Sequence, residues 1–246
     1  MIKRPFLKFA RLIAFGAGIM VIAGCSVRPA GVDIHDPFEE ANRKNHEFNK
    51  SLDRALFNPA AKGYDSIVPD PIENAVSNFA SNLSLPGKVI NNILQLRIKD
   101  AGQNSLRFVL NTTVGIGGLF DPSDAIGLTE KDADFGQTLA KWGVNEGAYI
   151  EAPVYGPTTE RDLLGFAVDI VLDPVSIFIA KPEINYRNAA RVGEVLQDRH
   201  VLGSDIDAIL YESADSYAQL RSIYLQNRRF NLGEETEEID PFDDLE

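Results

Sequence analysis

The chain has 246 residues, 44% of them hydrophobic, and a formal net charge of -12. This length supports one sizeable domain or two small ones, and the acidic balance argues against a nucleic-acid partner, since such proteins gather Lys and Arg. One cysteine excludes a disulfide framework and a cysteine-built metal site, and the three histidines (His35, His46, His200) show no ligand spacing.

The first element predicted is a leader. Lys3, Arg4, Lys8 and Arg11 form a basic stretch, followed by the apolar run "LIAFGAGIMVIA" over 12–23. That run is short of the ~20 apolar residues of a membrane-spanning helix and has the length of a signal peptide. It ends in "IAGC", small residues directly before the chain's only cysteine, which resembles a bacterial lipobox. The expected processing removes 1–24, lipidates Cys25 and leaves 25–33 as a tether. Several acyl chains on one residue anchor stably, each buried CH₂ adding about 0.8 kcal/mol. Ser26 follows Cys25, where an Asp would suggest inner-membrane retention, so the outer membrane is favoured.

The body over 34–232 reads as mostly α. "DPFEEANRKNHEFNKSLDRALFNP" has Asp36 as a candidate N-cap, Pro37 in the first turn and Glu39 and Glu40 at the positive end of the dipole. Phe38, Ala41, Phe48, Leu52 and Leu56 share one helical face, interrupted by Asn45, and Pro59 is expected to close the segment. Asp70 is a candidate cap and Pro71 opens a second helix, expected to end at Pro86, with another beginning in "GKVINNILQLRIKD". Asp100 is a candidate cap for "AGQNSLRFVLNTTV", and a short helix is predicted in "DFGQTLAKWGV".

"AYIEAPVYGP" reads as extended because of its prolines, and Thr159 with Asp162 resembles a capping pair before the apolar helix "ERDLLGFAVDIVLDP". Two helices follow, one within 184–200 and one from Ser204 towards Arg229. Residues 233–246, acidic and without a basic side chain, read as a solvated disordered tail, with docking to a basic partner as the sharper alternative. Past the leader no segment reaches spanning length. Short amphipathic helices separated by Pro and Gly suit a compact core and suit helices lying in a bilayer interface equally.

Residues 107–122, "RFVLNTTVGIGGLFDP", carry Gly115, Gly117 and Gly118 in an apolar run. No Lys follows the glycines, and the preceding segment is helical rather than a strand, so the stretch fails both nucleotide-loop patterns. No nucleophile elbow, paired carboxylates on an apolar face or Ser–His arrangement supports an enzyme. Glycine also permits unusual φ and close backbone approach. The stretch then reads as a bend, either packed in a core or set at membrane depth with Asn111, Thr112 and Asp121 lining a wet cavity.

Together, "DPFEEANRKNHEFN", "SNFASNLSLP", "RFVLNTTVGIGGLFD", "FGQTLAKWGVNEGAYIEAPVYGPTTERD" and "YAQLRSIYLQNR", in this order and spacing, resemble the MlaA (VacJ) family of outer-membrane lipoproteins. The likeness spans about Asp36 to Leu232. Glu151 and His46-Glu47 depart from its usual residues. The resemblance implies a ring of amphipathic helices embedded in one membrane leaflet around a central channel. Through it, mislocalised phospholipid would leave the outer leaflet of the outer membrane for a periplasmic carrier of the MlaC type. It also implies association with trimeric porins, a periplasm-facing position, no cofactor, no metal and no covalent catalysis.

The lipid-channel residues carried over by the motifs are Phe48 and Asn49, shaping or gating the ring. With them come Phe108, Asn111, Gly115, Gly117, Gly118, Phe120 and Asp121, forming the bend beside the channel. Bulk at Gly117 is expected to impair lipid removal. Tyr217, Arg221, Tyr224 and Arg228 share a helical face that either meets lipid headgroups or packs inward. The competing functions are a structural lipoprotein that scaffolds porins without moving lipid, and a lipid hydrolase, for which no site is found.

Overall fold

The computed structural model describes residues 33–178 and 183–234. The expected signal peptide, Cys25 and most of the tether and acidic tail lie outside the described residues. The chain is mostly helical, as expected, and among the described residues its one sheet is a two-stranded hairpin.

Helix α1 (Glu39–Leu52) starts later than its expected cap. Asp36 is not the N-cap; its carboxylate instead accepts from Asn42 Nδ2 at 2.8 Å, from Arg221 Nη1 at 2.8 Å and from the Tyr217 hydroxyl. Pro59 does not close the segment either. One π-helical turn (Asp53–Phe57) leads directly into α2 (Asn58–Ile67), which places Pro59 in the first turn, where its missing N–H leaves no orphan. Val68 is extended before Pro69, and there the helix stops.

Helix α3 (Asp70–Leu94) runs 25 residues straight through Pro86, against the expected break. An interior proline costs about 3 kcal/mol in an isolated helix. Here α4 (Ile98–Thr113) packs along one side of α3 and α9 (Glu183–Val201) along another, and their packing outweighs that cost. Asp100 lies in the first turn of α4 rather than capping it.

The next two helices carry caps that the sequence reading did not single out. The short helix α5 (Pro122–Ala125) is capped by Asp121, whose Oδ1 accepts from Asp124 N at 3.0 Å. Helix α6 (Phe135–Lys141) is capped by Asp134, which accepts from Gln137 N at 2.7 Å. The proline-bearing stretch is extended: β1 (Tyr149–Ala152) pairs antiparallel with β2 (Gly156–Thr159), Tyr149 opposite Thr159 and Ala152 opposite Gly156. Thr159 caps α7 (Glu160–Leu172), its Oγ1 accepting from Asp162 N at 3.2 Å.

A short α8 (Pro174–Phe178) precedes α9. The single long helix expected from Ser204 is instead three pieces: α10 (Gly203–Asp207), a π-helical turn (Ala208–Glu212) and α11 (Ser216–Leu232). Ser213 is extended and Asp215 re-caps the chain, accepting from Ala218 N at 3.1 Å. Gly233 ends α11 in the left-handed conformation.

The burial is inverted relative to a water-soluble helical protein. On α1 the buried positions are Asn42 and His46, while Phe38 and Phe48 from the apolar stripe are exposed. On α4, Asn104, Arg107 and Asn111 are buried, and Leu106 and Val109 face outward. On α7, Arg161 and Asp162 are buried while Ile170 and Val171 are not. The apolar residues that are buried are largely alanines, with a small cluster of Tyr149, Tyr217 and Leu225. No described helix is long and apolar enough to cross a membrane.

Candidate functional site

The glycine bend is built by hydrogen bonds and fit. After α4, Gly118 N donates to Asn111 O at 2.8 Å, and Phe120 N donates to Gly115 O at 2.9 Å. Ile116, Gly117 and Gly118 all have positive φ. A Cβ at Gly115 would lie 2.3 Å from Phe120 O, and one at Gly118 would lie 2.6 Å from Asn82 Nδ2, so close approach dictates glycine at both. At Gly117 a Cβ meets nothing within 4 Å, and only the left-handed φ of +73° favours glycine. The bend therefore docks against α3, where Asn78 Nδ2 donates to Leu119 O at 3.4 Å.

Of the sequence-predicted residues, Asn111, Gly115, Gly117, Gly118, Phe120 and Asp121 come together here. Arg107, which the motif reading passed over, ties them: its Nη2 pairs with Asp121 Oδ2 at 2.5 Å, and its Nη1 donates to Leu128 O. Asn111 Oδ1 accepts from Ser123 Oγ at 2.8 Å. Phe108 is half-buried on α4 and Phe120 is exposed.

Phe48 and Asn49 sit elsewhere on α1, Phe48 exposed and Asn49 held by the hairpin. Asn49 Nδ2 donates to Ala152 O at 3.0 Å and Glu151 Oε1 at 3.1 Å, and its Oδ1 accepts from Val154 N at 2.7 Å. The two sequence departures meet there too: His46 Nδ1 lies 3.6 Å from Glu151 Oε1, with both side chains almost fully buried. Glu151 Oε2 also accepts from the Tyr149 hydroxyl at 2.6 Å, and His46 Nε2 is 2.9 Å from Ser216 Oγ. These residues fasten α1, β1 and α11 together.

Farther along α3 lies a cavity of about 380 Å³, walled by α3, α7, α8 and α9 and closed in part by Phe135. Its polar wall carries Lys88, Arg187, Arg191, Asp169 and Asp173. Ile90, Phe166, Ile170 and Leu172 line it as well and also belong to the exposed apolar surface, so the cavity opens onto that surface. Burial would lower the Lys88 pKa, but Asp132 (3.0 Å) and Glu130 outweigh it and hold it raised. Asp169 accepts from Asn91 Nδ2 and Phe135 N, both at 2.9 Å; burial nevertheless keeps its carboxyl above the ordinary range.

The sequence reading missed this cavity entirely. Its charged residues come from stretches with no shared motif, and only the four-residue spacing of Arg187 and Arg191 on one helix face hinted at a common direction.

The face of Tyr217, Arg221, Tyr224 and Arg228 packs inward. The Tyr224 hydroxyl donates to Asp162 Oδ2 at 2.8 Å, while Arg228 pairs with Asp134 Oδ2 at 2.6 Å and Asp162 Oδ1 at 2.7 Å. Among the described residues no cluster of His, Cys, Asp and Glu is fit to hold a metal ion.

An apolar exterior over a hydrogen-bonded polar interior defines a class: a helical protein whose outer surface suits a lipid environment, with a mixed-charge cavity open to that surface. The chain belongs to the MlaA lipoprotein family, whose sequence model matches residues 34–231. It is 33% identical over 232 residues to the Escherichia coli intermembrane phospholipid transport system lipoprotein MlaA, covering 89% of this chain and 88% of that one. It is 32% identical over 204 residues to the Haemophilus influenzae protein of the same name, covering 81% and 80%. An uncharacterised Rickettsia bellii protein is 34% identical over 201 residues. A solved structure concerning the structural basis for maintenance of bacterial outer membrane lipid asymmetry superposes with a TM-score of 0.70 at 32% identity, covering 80% of this chain and 98% of that one.

Proposed function

We propose that this protein is an outer-membrane lipoprotein that takes mislocalised phospholipid from the outer leaflet. It passes the lipid through its polar interior to a periplasmic carrier of the MlaC type. The observation that carries this reading is the inverted burial: apolar side chains outside, charged and amide side chains inside, and a cavity open to the apolar surface. A phospholipid has an apolar body and a charged head, and a passage for it needs a hydrated wall beside a lateral opening onto acyl chains. The named relatives act in intermembrane phospholipid transport, which supports the same reading.

In this reading Cys25 carries the lipid anchor, and the helices form a ring in one leaflet, facing the periplasm. The 115–118 bend and Phe120 shape the channel wall with Phe108, Asn111 and Asp121. Phe48 and Asn49 shape or gate the ring, Asn49 being held by the hairpin, and a trimeric porin holds the protein in place. Transfer breaks and forms no covalent bond, so no catalytic group is required.

The decisive measurement is the phospholipid content of the outer leaflet in a deletion strain, with the gene restored as control. A rise on deletion that reverses on restoration is expected. Unchanged lipid asymmetry together with defective porin assembly would replace transport with a scaffolding role.

A further inference from the structure

The cavity between α3, α7, α8 and α9 holds two poles of opposite charge whose partners are incomplete. Arg187 is 7% exposed, and its Nε has no hydrogen-bond partner. Asp173 takes its Nη1 and the Asn188 side chain its Nη2, so the guanidinium is only partly engaged. Arg191, one turn along the same face, lines the cavity and makes no ion pair among the described residues. Lys88 is different, since Glu130 and Asp132 already hold it.

At the other pole, both Asp169 oxygens accept only from neutral donors, Asn91 and the Phe135 amide, and no cation stands within ion-pair distance among the described residues. An ionised carboxylate in such surroundings gains from any cation that reaches it. The apolar wall at Phe166 and Ile170 continues onto the outer surface, where acyl chains would lie.

We propose that this cavity is a headgroup subsite selective for a zwitterionic aminophospholipid, with Arg187 and Arg191 taking the phosphate and Asp169 taking the ammonium. The proposal rests on the phospholipid reading above and adds to it the chemistry of the lipid selected. A volume of about 380 Å³ admits a phosphoethanolamine head with its glycerol while leaving both acyl chains outside. A phosphatidylglycerol headgroup satisfies the arginine pole alone and leaves Asp169 uncompensated.

The test uses the mature protein with its Cys25 anchor intact, stripped of co-purified phospholipid and then incubated in detergent micelles holding equimolar dioleoyl phosphatidylethanolamine and phosphatidylglycerol. Bound lipid is quantified after recapture. The wild type is expected to enrich phosphatidylethanolamine on the order of threefold, the worth of one partly screened ion pair. Asp169→Asn should bring the ratio to about one with total lipid retained, and Asp169→Glu should keep the preference. Arg191→Gln, at an exposed position, should lower the total for both lipids.

A wild-type ratio of one, or an unchanged ratio in Asp169→Asn, overturns headgroup selection and leaves lipid binding intact. Absence of both lipids from the wild type removes the phospholipid reading itself. Binding of glycerophosphoethanolamine, which has no acyl chains, as tightly as the lipid itself would assign the subsite to a soluble zwitterion and overturn the lipid assignment.

Discussion

Three glycines in one bend do three different jobs. At Gly115 a Cβ would meet the Phe120 and Asn111 carbonyl oxygens at 2.3 and 2.4 Å, both backbone atoms that cannot move without unmaking the turn. At Gly118 the obstacle is the Asn82 side chain, which has some freedom, combined with a φ of +93°. At Gly117 only backbone strain opposes a side chain, worth about 1–2 kcal/mol for an L-residue in the left-handed region. Gly115→Ala is therefore expected to be the most damaging substitution in urea unfolding, at several kcal/mol, with Gly117→Ala the mildest. An equal loss at all three would mean that the bend needs glycine for flexibility alone. The contrast also changes the expectation for Gly117→Leu: its Cβ meets no protein atom within 4 Å, so a loss of lipid removal with the fold intact would be steric interference with lipid. Purified Gly117→Leu should melt within a few degrees of wild type, as about 1–2 kcal/mol implies.

At the scale of elements, short-range devices were legible only in part and long-range ones were not. Thr159 caps its helix through an amide three residues away, as its local sequence predicts. Asp121 and Asp134 cap in the same way without having been singled out, and the expected caps Asp36 and Asp100 do not cap. Pro86 reads as a helix stop because the neighbours that keep α3 intact, α4 and α9, are invisible in its local sequence. The apolar stripe on α1 was visible, but periodicity defines a face and not the medium it meets, so the burial of Asn42 and His46 in its place was not. The cavity was lost for a similar reason: α3, α7 and α9 each contribute one or two charges that look like ordinary solvated residues.

Helix α11 shows what such long-range pairs contribute. Arg228 alone joins Asp134, the cap of α6, to Asp162 in the first turn of α7. Arg228→Met keeps the bulk of the stem but takes the shared cation from both carboxylates, leaving Asp162 with Tyr224 and Arg161 and Asp134 with the Gln137 amide. A loss of about 3 kcal/mol, the low end for a buried pair broken on one side, is expected. Thermal unfolding should show it, and adding Asp162→Asn should recover part of the stability. No recovery would mean that Arg228 acts through packing alone.

For the whole molecule, a polar interior ties stability to pH in two opposing ways. Burial pushes the Asp53 carboxyl up, yet hydrogen bonds from Arg199 and Tyr211 outweigh it and leave it below the ordinary range. Asp162, held by Arg228, and Asp215, held by Arg43, behave alike. For these groups the unfolded chain binds protons more readily. Their contribution is present above the ordinary aspartate value of about 3.9 and is lost as pH falls through the lower folded values. Asp169, Glu194 and Asp198 have the opposite sign, because burial raises them. Each is protonated more readily in the fold, so each adds stability as pH falls through its raised value towards the ordinary carboxylate value and withdraws it as pH rises again. The two sets oppose each other, so mild acidification from neutrality is expected to cost little stability. Thermal midpoints in detergent should be at least as high at about pH 5 as at about pH 7, then fall steeply below about pH 4. A midpoint that declines steadily from neutral pH downward would show that the arginine-held carboxylates dominate alone. Asp169→Asn should flatten whatever rise acidification from neutrality produces while leaving the acid collapse in place, separating the cavity's contribution from that of the arginine pairs.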